Sequence, residues 1–208
     1  MSLRKAATRG LFFFKDNDMV ARSLDRDVRV HLHEFIQREV VKSPDTVVIN
    51  ELTLQRKTGR IDVAVVDTQL RGYEIKSQAD TLERLARQTR VYGKVLDYLS
   101  IVADDRHLQH AVKAVPEFWG VYVWLPGSGV GVIREPRLNI DVDKSALAQL
   151  LWRDDALMLL KEHDAHKGMS SKPKWALWSK IATACPHAAI HAAVLHQFKT
   201  HRRLENVG

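Results

Sequence analysis

Three short apolar segments between residues 46 and 77 constrain the fold of this chain more than any other feature. They are TVVINELTL, RIDVAVV and YEIKS, separated by the polar sequences QRKTG and TQLRG. Segments rich in Val, Ile and Thr that are bounded by turn residues are typical of β-strands. Because connections this short join neighbouring antiparallel strands, the sequence predicts a three-stranded meander.

Helical patterns flank the predicted meander. Ser23 can cap a helix running to about Val41, whose apolar residues recur at the spacing of one buried face: Leu24, Val28, Leu32, Phe35, Ile36 and Val40. A second helix is predicted to begin near Asp80, because Asp80 and Glu83 have the spacing of a capping box.

The rest of the chain completes a mixed architecture. A strand (YLSIVA), a helix (DRHLQHAVKAV) and a strand pair (FWGVYVWL and GVGVIRE) follow in order. The predicted order α-β-β-β-α-β-α-β-β indicates an α/β or α+β fold. After about Asp143 the pattern is helical, with Pro173 and Pro186 placed to open helices. We expect a core domain at residues 20–140 and a basic helical extension at 141–208, packed on or beside it.

Asp62, Glu74 and Lys76 are unusual residues for strands this apolar. Side chains alternate across a strand, so Glu74 and Lys76 share one face. If the turn is centred near Gln69, antiparallel pairing places Asp62 opposite Lys76. The Asp62 and Glu74 carboxylates are then diagonal neighbours on the same face of the sheet.

Glu51 adds a third carboxylate to this predicted patch, because a turn centred near residues 56–57 places it roughly opposite Asp62. Carboxylates this close raise one another's pKa unless a cation neutralises them. Mg²⁺ prefers oxygen ligands and needs only one or two protein carboxylates in addition to a substrate phosphate. The pattern therefore predicts a Mg²⁺ or Mn²⁺ site in which Lys76 orients a water molecule.

Structural alternatives stay open for these residues. An E-x-K alternation is also typical of a solvated strand face whose charges neutralise each other, and Asp62 could accept hydrogen bonds from turn amides. Glu51 could equally be an edge carboxylate paired with Lys76 or Arg60. The surrounding order of helices and strands favours the functional interpretation.

A family resemblance strengthens that interpretation. RID (60–62) followed after eleven residues by EIK (74–76) resembles the D…ExK signature of the PD-(D/E)XK nuclease superfamily, although Arg60-Ile61 stands where a proline can precede the aspartate. QTRVY (88–92) resembles the Q-x-x-x-Y motif of its RecB-like branch. The strings INEL, GYEIKS, DTLERLARQ and WG are similar to a small, poorly characterised bacterial family assigned to that superfamily, and the similarity spans most of residues 23–185.

The resemblance implies a restriction-endonuclease-like αβββαβ core and metal-dependent hydrolysis of phosphodiesters. Asp62, Glu74 and Lys76 would be the catalytic residues. Asp62 and Glu74 would hold the metal, with Glu51 as a further candidate ligand.

Five residues of the second predicted helix are candidates for contacting nucleic acid: Gln88, Tyr92, Arg84, Arg87 and Lys94. Gln88 and Tyr92 lie one turn apart and can point to the same place. The resemblance suggests that they contact the catalytic lysine or a substrate phosphate, whereas Tyr92 could equally be a core residue. The basic residues could neutralise phosphates or merely solvate the helix.

Charge and cysteine content fit an anionic partner and a reducing compartment. The net charge is +7, and residues 161–208 hold eight Lys or Arg against three acidic residues. Cys185 is the only cysteine, so no internal disulfide can form, and a cytoplasmic location is expected. No apolar segment is long enough for a transmembrane helix. The expected partner is DNA, a homodimer is left open, and no membrane association is expected.

The sequence thus predicts a Mg²⁺- or Mn²⁺-dependent deoxyribonuclease, with endonuclease action as the expectation. DNA repair and phage defence are contexts in which such cores occur. A non-catalytic nucleic-acid-binding protein with the same fold is the leading alternative. A protein-interaction module with a solvated charged hairpin is a third.

Overall fold

The computed structural model describes residues 25–54, 59–77, 80 and 83–205. The elements in chain order are α1 (Asp25–Phe35), a π-helical turn (Ile36–Val40), β1 (Val47–Leu54), β2 (Gly59–Val66), β3 (Leu70–Lys76), α2 (Leu85–Tyr92), β4 (Tyr98–Asp104), α3 (Asp105–Ala114), β5 (Gly120–Leu125), β6 (Gly129–Arg134), α4 (Lys144–Ala148), α5 (Arg153–Glu162), α6 (Lys174–Ala184) and α7 (His187–Glu205).

The protein is a mixed α/β structure built on one six-stranded sheet, whose strands lie in chain order from β1 to β6. The meander β1–β2–β3 is antiparallel, as predicted. β4 pairs in parallel with β3, and β5 pairs in parallel with β4. β6 pairs antiparallel with β5. The parallel pairs require crossover connections, which α2 and α3 supply.

Helices cover both faces of the sheet because each face is apolar. On one face, Val28 and Leu32 of α1 pack against Val63 and Val65 of β2 and against Tyr73. On the other face, the sheet shares a buried cluster with α2 and the C-terminal helices. Core residues of those helices include Leu85, Tyr92, Leu147, Leu151, Leu160, Leu177, Ile190 and Val194. The predicted helical extension therefore packs directly on the sheet and shares its core.

The β2–β3 register differs from the prediction by two residues. Val63 faces Tyr73 and Ala64 faces Gly72, so Asp62 does not pair with Lys76. The turn is centred one residue earlier than Gln69, because the Asp67 carboxylate accepts the Gln69 N–H at 2.7 Å and tightens the connection. A shift of two residues preserves the alternation along β3, so Glu74 and Lys76 still share a face.

The predicted capping box of α2 does not form in the described residues. The Asp80 carboxylate accepts the N–H of Ser77 at 2.9 Å and its hydroxyl at 2.6 Å. α2 begins only at Leu85, and Arg84 before it makes no side-chain cap hydrogen bond. Asp80 therefore closes the turn after β3. Ser23, the predicted cap of the first helix, lies outside the described residues.

None of the helices within the described ranges is long and apolar enough to cross a membrane.

Candidate active site

A cavity of about 480 Å³ lies where β2 and β3 separate. The ladder between these strands ends at the Val63–Tyr73 pair, although both strands continue beyond it. The Ile75 N–H instead donates to Asp62 Oδ2 at 2.7 Å. A side-chain carboxylate thus replaces a backbone acceptor, because a buried N–H must be satisfied.

Side chains from two helices satisfy the β2 carbonyls beside this opening. The Tyr92 hydroxyl of α2 donates to the Arg60 carbonyl at 2.7 Å. Arg29 of α1 donates through Nη1 to the Asp62 carbonyl at 2.8 Å. These hydrogen bonds therefore stabilise the separation of β2 from β3.

Glu74 and Lys76 lie together in the wall of this cavity, and both are nearly buried, at 2% and 6% exposure. Lys76 Nζ donates to Glu74 Oε1 at 2.8 Å. Gln88 Nε2 of α2 donates to the same oxygen. Glu74 Oε2 is buried and has no hydrogen-bond partner. Glu74 therefore keeps one oxygen available for a ligand in the cavity.

Asp62 and Glu74 interact electrostatically across the cavity. Burial, assisted by the Glu74 charge, raises the pKa of Asp62 from its ordinary 3.8 to about 7, while the Ile75 N–H and Arg29 oppose the change. The pKa of Glu74 is also raised, chiefly by burial, against the stabilising contact with Lys76. Both carboxylates thus resist ionisation when no external cation is present.

Glu51 lies opposite Asp62, as the β1–β2 register predicts, but its carboxylate faces arginines. Its Oε1 lies 2.8 Å from Arg29 Nη2, and its Oε2 lies 2.5 Å from Arg60 Nε. The backbone of Glu51 is in the left-handed region, with φ of 58°. The pairing with Arg60 is the alternative that the sequence left open, and the predicted role as a metal ligand gains no support from this geometry.

Asp62 and Glu74 are thus the two carboxylates of the predicted patch that accept no hydrogen bond from an arginine, and the role of Glu51 as a third metal ligand stays a prediction. Among the described residues, no three His, Cys, Asp or Glu side chains are grouped in a way that could hold a metal ion. Mg²⁺ commonly retains several water ligands, so a site for it needs only one or two protein carboxylates. The unpartnered Glu74 Oε2 and the raised pKa of Asp62 are what a cation would relieve.

The five residues predicted to contact nucleic acid lie in three different kinds of position. Arg84, Arg87 and Gln88 line the cavity. Tyr92 also reaches it with its hydroxyl, but it is 1% exposed and belongs to the core. Lys94 is exposed on the surface and is not among the lining residues.

Arg29 is the functional candidate that the sequence analysis missed. It comes from α1, and it is 33 residues away from Asp62 in the chain. A weak signal was present, because Arg29 follows the buried Val28 on α1 and lies four residues after Asp25, a spacing that permits an ion pair.

The fold and the cavity together define the class: a mixed α/β protein with one buried and one partly buried carboxylate where two strands of its sheet separate. The chain belongs to the family of bacteriophage P4 protein cII, whose family model matches residues 20–205.

Individual relatives match over shorter regions. Protein cII of Enterobacteria phage P4 is 28% identical over 97 residues, which cover 47% of this chain and 36% of the phage protein. A protein of unknown function from Silicibacter pomeroyi has a similar structure over 45% of this chain and 62% of its own, with 18% identity and a TM-score of 0.36.

Proposed function

We propose that this protein is a PD-(D/E)XK-type, RecB-like nuclease that hydrolyses DNA phosphodiester bonds with Mg²⁺ or Mn²⁺, as an endonuclease. One observation carries the proposal: the buried, unpartnered Glu74 Oε2 shares a cavity with Asp62, whose pKa is raised to about 7. A nearly buried carboxylate beside a second, partly buried one is costly even with Lys76 and Arg29 close by, so a site that retains this pair is a candidate for function.

The acceptor atoms around the cavity favour binding of a cation rather than an anion beside Glu74. Two buried side-chain oxygens that lack a hydrogen-bond partner line it, Glu74 Oε2 and Gln88 Oε1. Hydrated Mg²⁺ satisfies such oxygens both directly and through its water ligands. When bound, the metal would polarise a phosphoryl oxygen and lower the pKa of a coordinated water.

The chain's own residues then have distinct roles. Asp62 and Glu74 hold the metal, and the Ile75 N–H fixes the Asp62 carboxylate at 2.7 Å. Lys76, fixed by Glu74 Oε1, orients the attacking water and offsets negative charge that develops on the phosphate. Gln88 holds the same Glu74 oxygen, so it positions the catalytic carboxylate.

The expected substrate is DNA because basic groups surround the acidic centre. Arg60, Arg84 and Arg87 line the cavity, and the whole chain carries a net charge of +7. Arginine binds phosphate through paired donors, so these side chains can hold phosphates on either side of the bond to be cleaved.

Glu74→Gln tests the proposal because it preserves the size of the side chain while removing its charge. We expect supercoiled plasmid nicking with Mg²⁺ or Mn²⁺ to fall by at least about a hundredfold, a loss typical of removing a key electrostatic group. DNA affinity without metal should stay equal or rise, since a negative charge facing phosphate is lost. Glu117→Gln, at an exposed position that pairs with Arg137, is the matched control. Nicking by Glu74→Gln at the parental rate would rule out this active site.

A second candidate function is non-catalytic nucleic-acid binding. It is favoured by Arg29, which already places a positive charge 3.7 Å from Asp62 Oδ1. This candidate predicts DNA binding by gel shift with no cleavage of linear, nicked, branched or single-stranded DNA in any divalent metal. The same assays therefore decide between the two functions.

A further inference from the structure

Arg29 is the most densely paired cation in the cavity wall. Its Nε and Nη2 donate to Asp25 Oδ2 at 3.1 and 3.0 Å. Nη2 also donates to Glu51 Oε1 at 2.8 Å, and Nη1 donates to the Asp62 carbonyl at 2.8 Å. One guanidinium thus binds three acidic residues of α1, β1 and β2.

The guanidinium faces the one Asp62 oxygen that remains available to a metal. Asp62 Oδ2 is occupied by the Ile75 N–H, whereas Oδ1 lies 3.7 Å from Arg29 Nη2. A divalent ion bound to Oδ1 would lie no more than about 6 Å from Nη2, because a metal–oxygen bond of about 2.1 Å adds to this contact. Like charges at that separation repel strongly in a partly buried site.

The contact between Arg29 and the Asp62 carboxylate is electrostatic and is not a hydrogen bond. At 3.7 Å the Nη2–Oδ1 pair exceeds hydrogen-bond length, and the hydrogen bond from Arg29 goes to the backbone carbonyl instead. The orientation of the carboxylate comes from Ile75. An uncharged residue at position 29 should therefore leave the carboxylate in place while removing its counter-ion.

Asp25 and Glu51, the other two partners of Arg29, can retain its side chain when it moves away from Asp62. The Asp25 and Glu51 side chains are 48% and 37% exposed, compared with 18% for Asp62. Arg29 can therefore shift toward solvent and keep both of these ion pairs while it releases Asp62. Long side chains make such movements through rotamer changes.

We propose that Arg29 is a resident counter-cation that competes with the divalent metal for Asp62. In the metal-free protein it places its charge 3.7 Å from Asp62 Oδ1, and metal binding displaces it toward Asp25 and Glu51. The intrinsic metal affinity of the free protein is consequently weak. This inference rests on the proposed function, because it requires that Asp62 is a metal ligand.

Direct measurement of Mn²⁺ binding tests the inference without any activity assay. Free Mn²⁺ is quantified by electron paramagnetic resonance in titrations of the parent, Arg29→Gln, Arg29→Lys and Asp62→Asn proteins at about pH 8, where protons compete little for Asp62. Arg29→Gln retains a donor for the Asp62 carbonyl. Arg29→Met is the second uncharged variant if the Gln protein does not fold.

We expect Arg29→Gln to bind Mn²⁺ at least about tenfold more tightly than the parent, since repulsion between a single and a double charge at this range exceeds that factor even in a watery site. Arg29→Lys should stay within about threefold of the parent, because the charge remains. Arg38→Gln is the matched control: Arg38 pairs with Glu39 at an exposed position and does not line the cavity, so its loss should change the affinity little.

The remaining outcomes distinguish the counter-cation role of Arg29 from the proposed metal site. Equal affinity of the parent and Arg29→Gln, with binding lost in Asp62→Asn, would overturn the counter-cation role and leave the metal site standing. Weaker binding by both Arg29 variants would make Arg29 a positioning residue and would also overturn the inference. Failure of the parent and Arg29→Gln to bind Mn²⁺ would instead refute the proposed metal site itself.

Discussion

Asp62→Asn should stabilise the metal-free protein at alkaline pH, although it removes a residue of the proposed active site. The asparagine side chain has the size of the aspartate it replaces, and its carbonyl oxygen can still accept the Ile75 N–H that Asp62 accepts at 2.7 Å. The substitution removes a buried negative charge that Glu74 repels. A stabilising substitution at a functional position is the expected trade-off between activity and stability.

The magnitude follows from the pKa of Asp62, which is about 7 in the folded protein compared with an ordinary 3.8. Because the folded state binds this proton more tightly than the unfolded state, protonation stabilises the fold. That stabilisation is complete below about pH 4 and is lost as the pH rises through about 7. Between about pH 5 and pH 8 the loss is about 2.5 kcal/mol. Asp62→Asn lacks this dependence.

Urea denaturation in the presence of a chelator, followed by tryptophan fluorescence, measures the effect. The free energy of unfolding of Asp62→Asn minus that of the parent should increase by about 2.5 kcal/mol from about pH 5 to pH 8. Asp141→Asn, at an exposed loop position, is the control and should show no such trend. Saturating Mg²⁺ should stabilise the parent but not Asp62→Asn.

Two results would refute this reasoning. If Asp62→Asn is less stable than the parent at about pH 8, the ionised carboxylate stabilises the fold, and its contacts with Ile75 and Arg29 outweigh its burial. If the difference between the proteins does not vary with pH, Asp62 does not titrate in this range. In either case the carboxylate pair is not the strained site described above.

Three further predictions address the sheet, the C-terminal helices and the surface. Gly72→Ala should destabilise the protein by about 1–3 kcal/mol in urea denaturation, because its Cβ would lie 2.5 Å from Leu96 Cδ1. The hydrogen bond to Asp97 raises the pKa of His191, so this pair stabilises the fold below about pH 6.5 and the stabilisation is lost as the pH rises. His191→Gln should therefore lower the free energy of unfolding more at about pH 6 than at about pH 8. Trp175→Ala should weaken binding of fluorescent single-stranded DNA several-fold without lowering the melting temperature, since Trp175 is 61% exposed and lies beside Lys174.

The order of helices and strands could be predicted because it depends on local patterns. The β1–β2 register was predicted correctly, and Glu51 lies opposite Asp62 as expected. The β2–β3 register was wrong by two residues because the Asp67 side chain shortens the turn. Such an error preserves the alternation of side chains, so the shared face of Glu74 and Lys76 was unaffected.

The details that make the cavity could not be predicted because they depend on contacts distant in sequence. Arg29 meets Asp62 across 33 residues, and Tyr92 meets the Arg60 carbonyl across 32 residues. Strand periodicity predicts a continuous ladder and gives no sign that the pairing stops before Val63 on β2 and after Tyr73 on β3. The capping-box pattern failed for a different, local reason, since Ser77 competes as a partner for Asp80.

Several unfavourable features of the described residues lie in this cavity. Glu74 Oε2 and Gln88 Oε1, two buried side-chain oxygens without a hydrogen-bond partner, belong to residues that line it. Glu51, also in its wall, has one of the two left-handed backbone conformations outside glycine in the described ranges, the other being at Asp164. A fold tolerates such costs only where the surrounding structure enforces them, and they cluster at sites that bind ligands. A ligand that satisfied both of these acceptor oxygens would have to present positive charge or hydrogen-bond donors, which a hydrated divalent cation does and a phosphate alone does not.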